Sequence, residues 1–132
     1  MRKTVARIAL VLLMATLGVS GVSTQPVRLK HVMQVKLQHA QRILGDVVTS
    51  DWTSLQLDAA ALQRTAHDPA WAVLTTPEYI RYTMLFARAA EDLSDAAVRH
   101  DLEAAPLAYV SLTLSCVQCH RYVARMRIAG TP

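Results

Sequence analysis

Apolar residues recur along most of this chain at alternating steps of three and four, the spacing that lines one face of an α-helix. These stretches and the stop signals between them mark four helices. The first helix is predicted from about Val27 to Val48. Its inward face is expected to carry Leu29, Met33, Leu37, Ala40, Leu44 and Val47.

A short polar turn separates the first predicted helix from the second. Thr49, Ser50 and Asp51 offer side chains that cap a helix N-terminus, so the second helix is expected to begin directly after them. The segment His67-Asp68-Pro69 is expected to end it. The inward face of this helix is expected to carry Trp52, Leu55, Ala59, Leu62 and Ala66.

The third predicted helix has the clearest start. Thr76 supplies a capping hydroxyl, Pro77 needs no amide hydrogen at the first helical position, and Glu78 suits the positive end of the helix dipole. The helix is expected to reach about Arg99. Its inward face is expected to carry Tyr79, Tyr82, Phe86, Ala89, Leu93 and Ala96.

The fourth predicted helix follows Asp101. Pro106 removes a backbone hydrogen bond near its start, so the helix either begins at this proline or bends there. The inward face is expected to carry Leu102, Ala105, Tyr109, Leu112, Cys116, Cys119, Val123 and Met126.

The composition favours a single helical domain. Ala and Leu dominate, only 4 glycines occur in 132 residues, and no linker or repeat interrupts the chain after its N-terminal segment. Amphipathic helices with short connections most simply pack as antiparallel neighbours. We therefore predict one all-α domain over residues 24–132, an antiparallel up-down-up-down four-helix bundle.

The first residues have the pattern of a secretory signal peptide. Arg2, Lys3 and Arg7 precede the apolar stretch 8–17, which small residues follow. This stretch is shorter than the roughly 20 residues that a membrane-spanning helix needs. We expect residues 1–23 to be cleaved and the mature protein to be periplasmic without a stable membrane span. An uncleaved anchor is the less favoured alternative.

Charge gives little support to nucleic-acid binding. Of the 14 Lys and Arg, three belong to the predicted signal peptide, which leaves 11 cations against the 10 acids. A phosphate-binding surface needs a basic excess gathered on one face, and the sequence indicates no such patch. Nucleic acid is therefore not a predicted partner.

The motif with the most specific chemistry is Cys116-Val117-Gln118-Cys119-His120. CxxCH is the spacing that attaches a c-type haem, because cysteines three apart share a helix face and the next residue is a histidine that can bind the iron. We expect one covalent haem c, held by thioethers to Cys116 and Cys119, with His120 as the proximal iron ligand.

Two other interpretations of the motif have less support. A thioredoxin-like dithiol would follow a strand at a helix start, whereas this CxxC lies deep in a predicted helix. A zinc site would need further Cys or His at matched spacing. These two cysteines are the only ones in the chain, so no disulfide framework competes for them.

Met33 is the predicted distal ligand of the iron. In an antiparallel bundle the start of the first helix lies beside the end of the fourth, and at 1.5 Å per residue Met33 and His120 fall at similar depths. The alternative role of Met33 is core packing. Lys36 is a weaker candidate, since an amine must lose its proton to bind. The remaining histidines are expected to be solvated: His31, His39, His67 and His100.

With these features the chain resembles the class II c-type cytochromes, the cytochrome c-prime superfamily. The resemblance spans the whole mature chain, although CxxCH is its one highly specific motif. It implies a four-helix bundle with the haem motif near the C-terminus. A methionine facing the iron from the first helix implies the low-spin branch, whose members carry single electrons.

The resemblance leaves several points open. Members with an apolar residue in place of the distal methionine are five-coordinate and bind gases such as NO and CO, which is the alternative function if Met33 only packs. Arg121 and Arg125 either contact the haem propionates or are solvated surface charges. The expected partners are periplasmic redox proteins, with docking to one larger redox complex as a further alternative.

Two expectations concern assembly and catalysis. Whether the bundle forms a homodimer through its first two helices, as many relatives do, is left open by the sequence. No carboxylate pair or nucleophile and base set falls on the inward positions, so the sequence does not predict an enzyme.

Overall fold

The computed structural model describes residues 25–129, and the predicted signal peptide at 1–23 lies outside this range. Over residues 25–129 the chain is all-helical, without strands. The four helices confirm the predicted all-α class and helix number, and none of these described helices has the length and apolar character needed to cross a membrane. The elements are α1 (Gln25–Thr49), α2 (Trp52–Ala66), a 3-10 turn (Pro69–Trp71), α3 (Pro77–Arg99) and α4 (Ala104–Ala129).

Local capping explains where α2 and α3 begin. The Asp51 side chain accepts a hydrogen bond from the backbone N–H of Ser54, and the Thr76 hydroxyl accepts one from the N–H of Tyr79. Pro77 stands at the first turn of α3, where its missing N–H leaves no bond unmade. The predicted starts of both helices are therefore confirmed.

The start of α4 accommodates Pro106. The Asp101 carboxylate accepts a hydrogen bond from the N–H of Ala104, and the Asp101 carbonyl accepts one from Ala105. Pro106 thus falls in the first turn of α4, where helix N–H groups have no intrahelical acceptor. Of the two sequence alternatives, the structure supports a helix start at this proline.

Helices that follow one another in the chain pack against one another, and α1 also touches α4 over a smaller contact. The side chains at the centre of the core come from all four helices and are fully buried: Ile43, Leu55, Leu62, Leu93 and Leu112. The predicted inward faces of α2 and α3 are confirmed, because their positions are buried or half-buried.

The predicted inward face of α1 is wrong at two positions. Leu37 and Leu44 are 59% and 48% exposed, whereas Val32 and Ile43 are buried. The reason is that α1 packs chiefly on α2, and this contact rotates the buried face of the helix away from Leu37. The face turned away from α2 borders the cavity described below.

The predicted face of α4 is confirmed in its middle and wrong at its ends. Ala105 and Leu112 are buried, and Cys116 and Cys119 are half-buried against the core. Leu102 is exposed because it precedes the helix, and Met126 is exposed in the last turn. The predicted inward face is therefore correct where α4 lies along α3.

Candidate functional site

The CxxCH motif lies within the second half of α4. Its cysteines are one helical turn apart, and both thiols are free and half-buried. Burial raises the pKa of the Cys119 thiol, against an opposing influence of Lys36. His120 follows directly and is exposed. One face of α4 therefore presents two thiols beside an imidazole.

A largely apolar cavity of about 590 Å³ lies against this face. Its volume is within the range of about 300–1,000 Å³ that is usual for small-molecule and cofactor sites. α1, the 3-10 turn, α3 and α4 each contribute to its wall. The side chains with distinctive chemistry in the wall are Met33, Lys36, Trp71, Tyr82, Phe86, Cys116, Cys119, His120 and Arg121.

The structure brings most of the sequence-predicted site residues together here. Met33 is half-buried on α1 and lines the same cavity as Cys116, Cys119 and His120. Arg121 also lines it, whereas Arg125 is exposed on α4 and is not part of the wall. A thioether and an imidazole thus line one apolar cavity from different helices.

Lys36, a weaker ligand candidate from the sequence, lies in the wall of this cavity against two aromatic rings. Its Nζ lies 3.3 Å from the ring centroid of Trp71 and 3.9 Å from that of Phe86. Cation–π contacts of this kind stabilise an ammonium group in an apolar site. Burial nevertheless lowers the pKa of Lys36 to about 8, against the opposing influence of Cys116 and Cys119. Its position one helical turn after Met33 was the feature of the sequence that placed Lys36 near the site.

Trp71 was not identified from the sequence, because its position depends on the unpredicted 3-10 turn. Asp68 caps this turn by accepting a hydrogen bond from the N–H of Ala70. The hydroxyl of Tyr79 donates to the carbonyl of Trp71, and burial raises the pKa of Tyr79 to about 12, so this donor stays protonated. The ring of Phe86 meets the indole edge-on at 4.9 Å.

The buried indole N–H of Trp71 has no hydrogen-bond acceptor among the described residues. Burying an unpaired N–H costs free energy, so such groups are usually satisfied by a partner. Since Trp71 lines the cavity, its N–H is a candidate donor to a bound group.

A second contact fixes α4 just after the motif. The hydroxyl of Tyr122 donates to the Thr76 hydroxyl oxygen at 2.7 Å, and Thr76 also caps α3. The ring of Tyr122 lies 5.7 Å from that of Tyr82. These contacts hold the cysteine-bearing part of α4 beside the start of α3.

A charged cluster fixes α1 on α2. The largely buried carboxylate of Asp58 accepts hydrogen bonds from Arg42 Nε and Nη2, both at 2.9 Å, and His39 Nδ1 lies 2.7 Å from it. Burial alone would raise the pKa of Asp58, but the bonds from Arg42 and His39 outweigh it and lower that pKa. His39 is therefore not the solvated residue that the sequence predicted.

Comparison of the chain with family models, curated proteins and solved structures found no match. The assignment of a function therefore depends on the motif and on the cavity. The motif supplies two thiols and an imidazole on α4, and the cavity brings them together with a thioether on α1.

Proposed function

We propose that this chain is a mono-haem c-type cytochrome that carries single electrons in the periplasm. One observation carries the proposal: the two cysteines and the histidine of CxxCH line the same apolar cavity as Met33. This donor set fits a haem, because thiols form its covalent links while imidazole nitrogen and thioether sulfur are common iron ligands. The cavity volume fits a cofactor as well.

Each residue of the set has a distinct role. Cys116 and Cys119 are the attachment residues, His120 is the proximal ligand, and Met33 is the distal ligand. A bound haem supplies a one-electron iron couple, whose reduction potential methionine ligation raises. Arg121 on the cavity wall would be a partner for a haem propionate, and Arg125, which lies outside the wall, would be a solvated surface charge.

The remaining wall residues control the surroundings of the site. Trp71 and Phe86 are buried aromatic side chains that keep water from this side of the cavity. A dry, apolar shell favours the form of a redox group that has the lower net charge. The unpaired indole N–H of Trp71 adds one hydrogen-bond donor for a polar edge of the bound group.

The proposed bundle is antiparallel, in agreement with the class II cytochromes that the sequence resembles. Two contacts support this arrangement. The rings of Trp52 and His100 stack at 5.4 Å, which brings the start of α2 to the end of α3. The bond between Tyr122 and Thr76 brings the later part of α4 to the start of α3.

The first experiment tests haem attachment. The full chain is expressed with the c-type maturation machinery and its intact mass is measured. We expect the mass of one covalent haem above the polypeptide, and its loss in Cys116→Ser combined with Cys119→Ser. A wild-type mass equal to that of the bare polypeptide would refute the proposal.

The second experiment tests the distal ligand. The reduced wild type should be low-spin and slow to bind carbon monoxide, whereas Met33→Leu should be high-spin and bind it rapidly. Met84→Leu is the matched control, because Met84 is an exposed methionine on α3 away from this cavity. If the wild type is already high-spin and Met33→Leu changes nothing, the five-coordinate gas-binding function replaces electron transfer.

A further inference from the structure

Positive charge gathers on the two helices that carry the motif and Met33. Residues 25–40 of α1 contain no acidic residue, and neither does any part of α4. The cations on these two segments are Arg28, Lys30, Lys36, Arg121, Arg125 and Arg127. The near-balanced net charge of the mature chain does not reveal this distribution, which was not identified from the sequence.

Negative charge gathers elsewhere, around the contact between Trp52 and His100. The two turns that meet at this contact carry Asp51 and Asp101. The residues before and after these turns, and the second half of α3, add further acids: Asp46, Glu91, Asp92, Asp95 and Glu103. Of the remaining acids, Asp58 pairs with Arg42, Asp68 caps the 3-10 turn that carries Trp71, and Glu78 lies in the first turn of α3. Charge is therefore unevenly distributed, with an excess of cations on α1 and α4 beside the cavity.

The cavity itself combines free cations with exposed apolar side chains. Lys30 and Arg121 line it, are exposed, and have no carboxylate within ion-pair distance in the described chain. Leu37 and Val117 also line it and are exposed. An apolar centre with a polar rim is the usual anatomy of a protein–protein interface.

We propose that the cavity end of α1 and α4 is the docking surface for redox partners, and that it selects proteins with an acidic surface. This inference rests on the proposed function. The cations of this surface outnumber the pair of propionates that a haem would add, so the end stays positive. Complementary charge steers association and sets orientation, which would bring an acidic partner to the cavity and turn the acidic end away from it.

The test measures electron transfer from the reduced, matured protein to two oxidants of opposite charge. In each reaction one electron leaves the protein and the oxidant is reduced: ferricyanide to ferrocyanide, or tris(phenanthroline)cobalt(III) to cobalt(II). The variant Arg28→Glu with Lys30→Glu reverses charge at the cavity end. The matched control, Arg88→Glu with Arg99→Glu, makes the same change in net charge on α3.

At low ionic strength, we expect the cavity-end variant to lower the ferricyanide rate constant on the order of tenfold and to raise the cobalt rate constant. The control should change both much less, and rising salt should remove the differences. Equal effects of the two variants would mean that only net charge matters, which overturns the docking surface.

Two further readouts separate the causes of failure. Intact mass shows whether each protein carries haem, so a bare polypeptide contradicts the proposed function, whereas a haem-loaded protein with equal variant effects contradicts the docking surface alone. Sedimentation with anionic phosphatidylglycerol vesicles at physiological ionic strength, lost in the cavity-end variant, would assign the surface to a membrane and overturn the acidic protein partner.

Discussion

Replacing Asp58 by asparagine removes the negative charge at the contact between α1 and α2 and keeps the size of the side chain. In the wild type this carboxylate has only 13% of its side chain exposed and receives hydrogen bonds from Arg42 and His39. Because α1 also carries Met33, the cluster holds one wall of the cavity in place. We expect the Asp58→Asn protein to be less stable at neutral pH.

The magnitude follows from the surroundings of Asp58. Hydrogen bonds to a buried charged group contribute roughly 1.5–3 kcal/mol each, but the Arg42 side chain is half exposed and regains water when its partner is lost. Asp46 has a buried carboxylate oxygen without a partner, and burial and the charge of Asp58 raise its pKa, so the substitution also relieves repulsion. We expect a net loss of about 2 kcal/mol.

Urea denaturation followed by far-UV circular dichroism measures this loss. The folded state lowers the pKa of Asp58 below 3.8, so its stabilising effect is full above that pH and disappears as the pH falls through the lowered value. The difference between wild type and variant should therefore shrink in acid. Asp92→Asn, on the exposed face of α3, is the control and should change stability by less than about 0.5 kcal/mol. A pH-independent difference would refute this account.

Three further substitutions test other parts of the structure. Burial lowers the pKa of Lys36 from 10.5 to about 8, so in protein produced without haem maturation this residue alone should add up to about 3 kcal/mol of stability as the pH rises between these values. The stability difference between wild type and Lys36→Met should change by that amount in pH-dependent denaturation, whereas parallel curves would refute the argument. Leu112→Ala should cost about 2–5 kcal/mol of unfolding free energy, whereas Leu114→Ala, at a half-exposed position on the same helix, should cost far less. Thr76→Ala should lower the free energy of unfolding by about 1–2 kcal/mol through loss of the cap and of the acceptor for Tyr122, seen as a lower melting temperature, and Thr76→Ser should restore it.

The bounds of the helices could be predicted because local interactions set them. Thr76 and Pro77 define the start of α3 through a cap and a missing N–H, both of which the sequence displays directly. The buried face of α1 could not be predicted in the same way. Apolar residues occur on more than one side of this helix, and the contact with α2, rather than the spacing, decides that Val32 is buried and Leu37 is not.

In the candidate site, too, some features could be predicted from the sequence and others depend on packing. The placement of Met33 in one cavity with the motif followed from helix rise together with the expected antiparallel arrangement of the first and last helices. The aromatic surroundings of Lys36 did not follow, because Trp71 and Phe86 come from elements whose packing depends on the whole fold. Burial of a lysine is a property of its neighbours in space.

Two walls of the cavity come from the first and last described helices, which touch each other less than consecutive helices do. Bringing such distant parts of a chain together costs the most loop-closure entropy, so we expect these contacts to form late in folding. The larger contacts between consecutive helices allow α2, α3 and α4 to associate before α1 closes against α4. If the proposed haem attachment is correct, we therefore expect the two thiols to remain accessible to an attachment enzyme until closure of α1 against α4 encloses them.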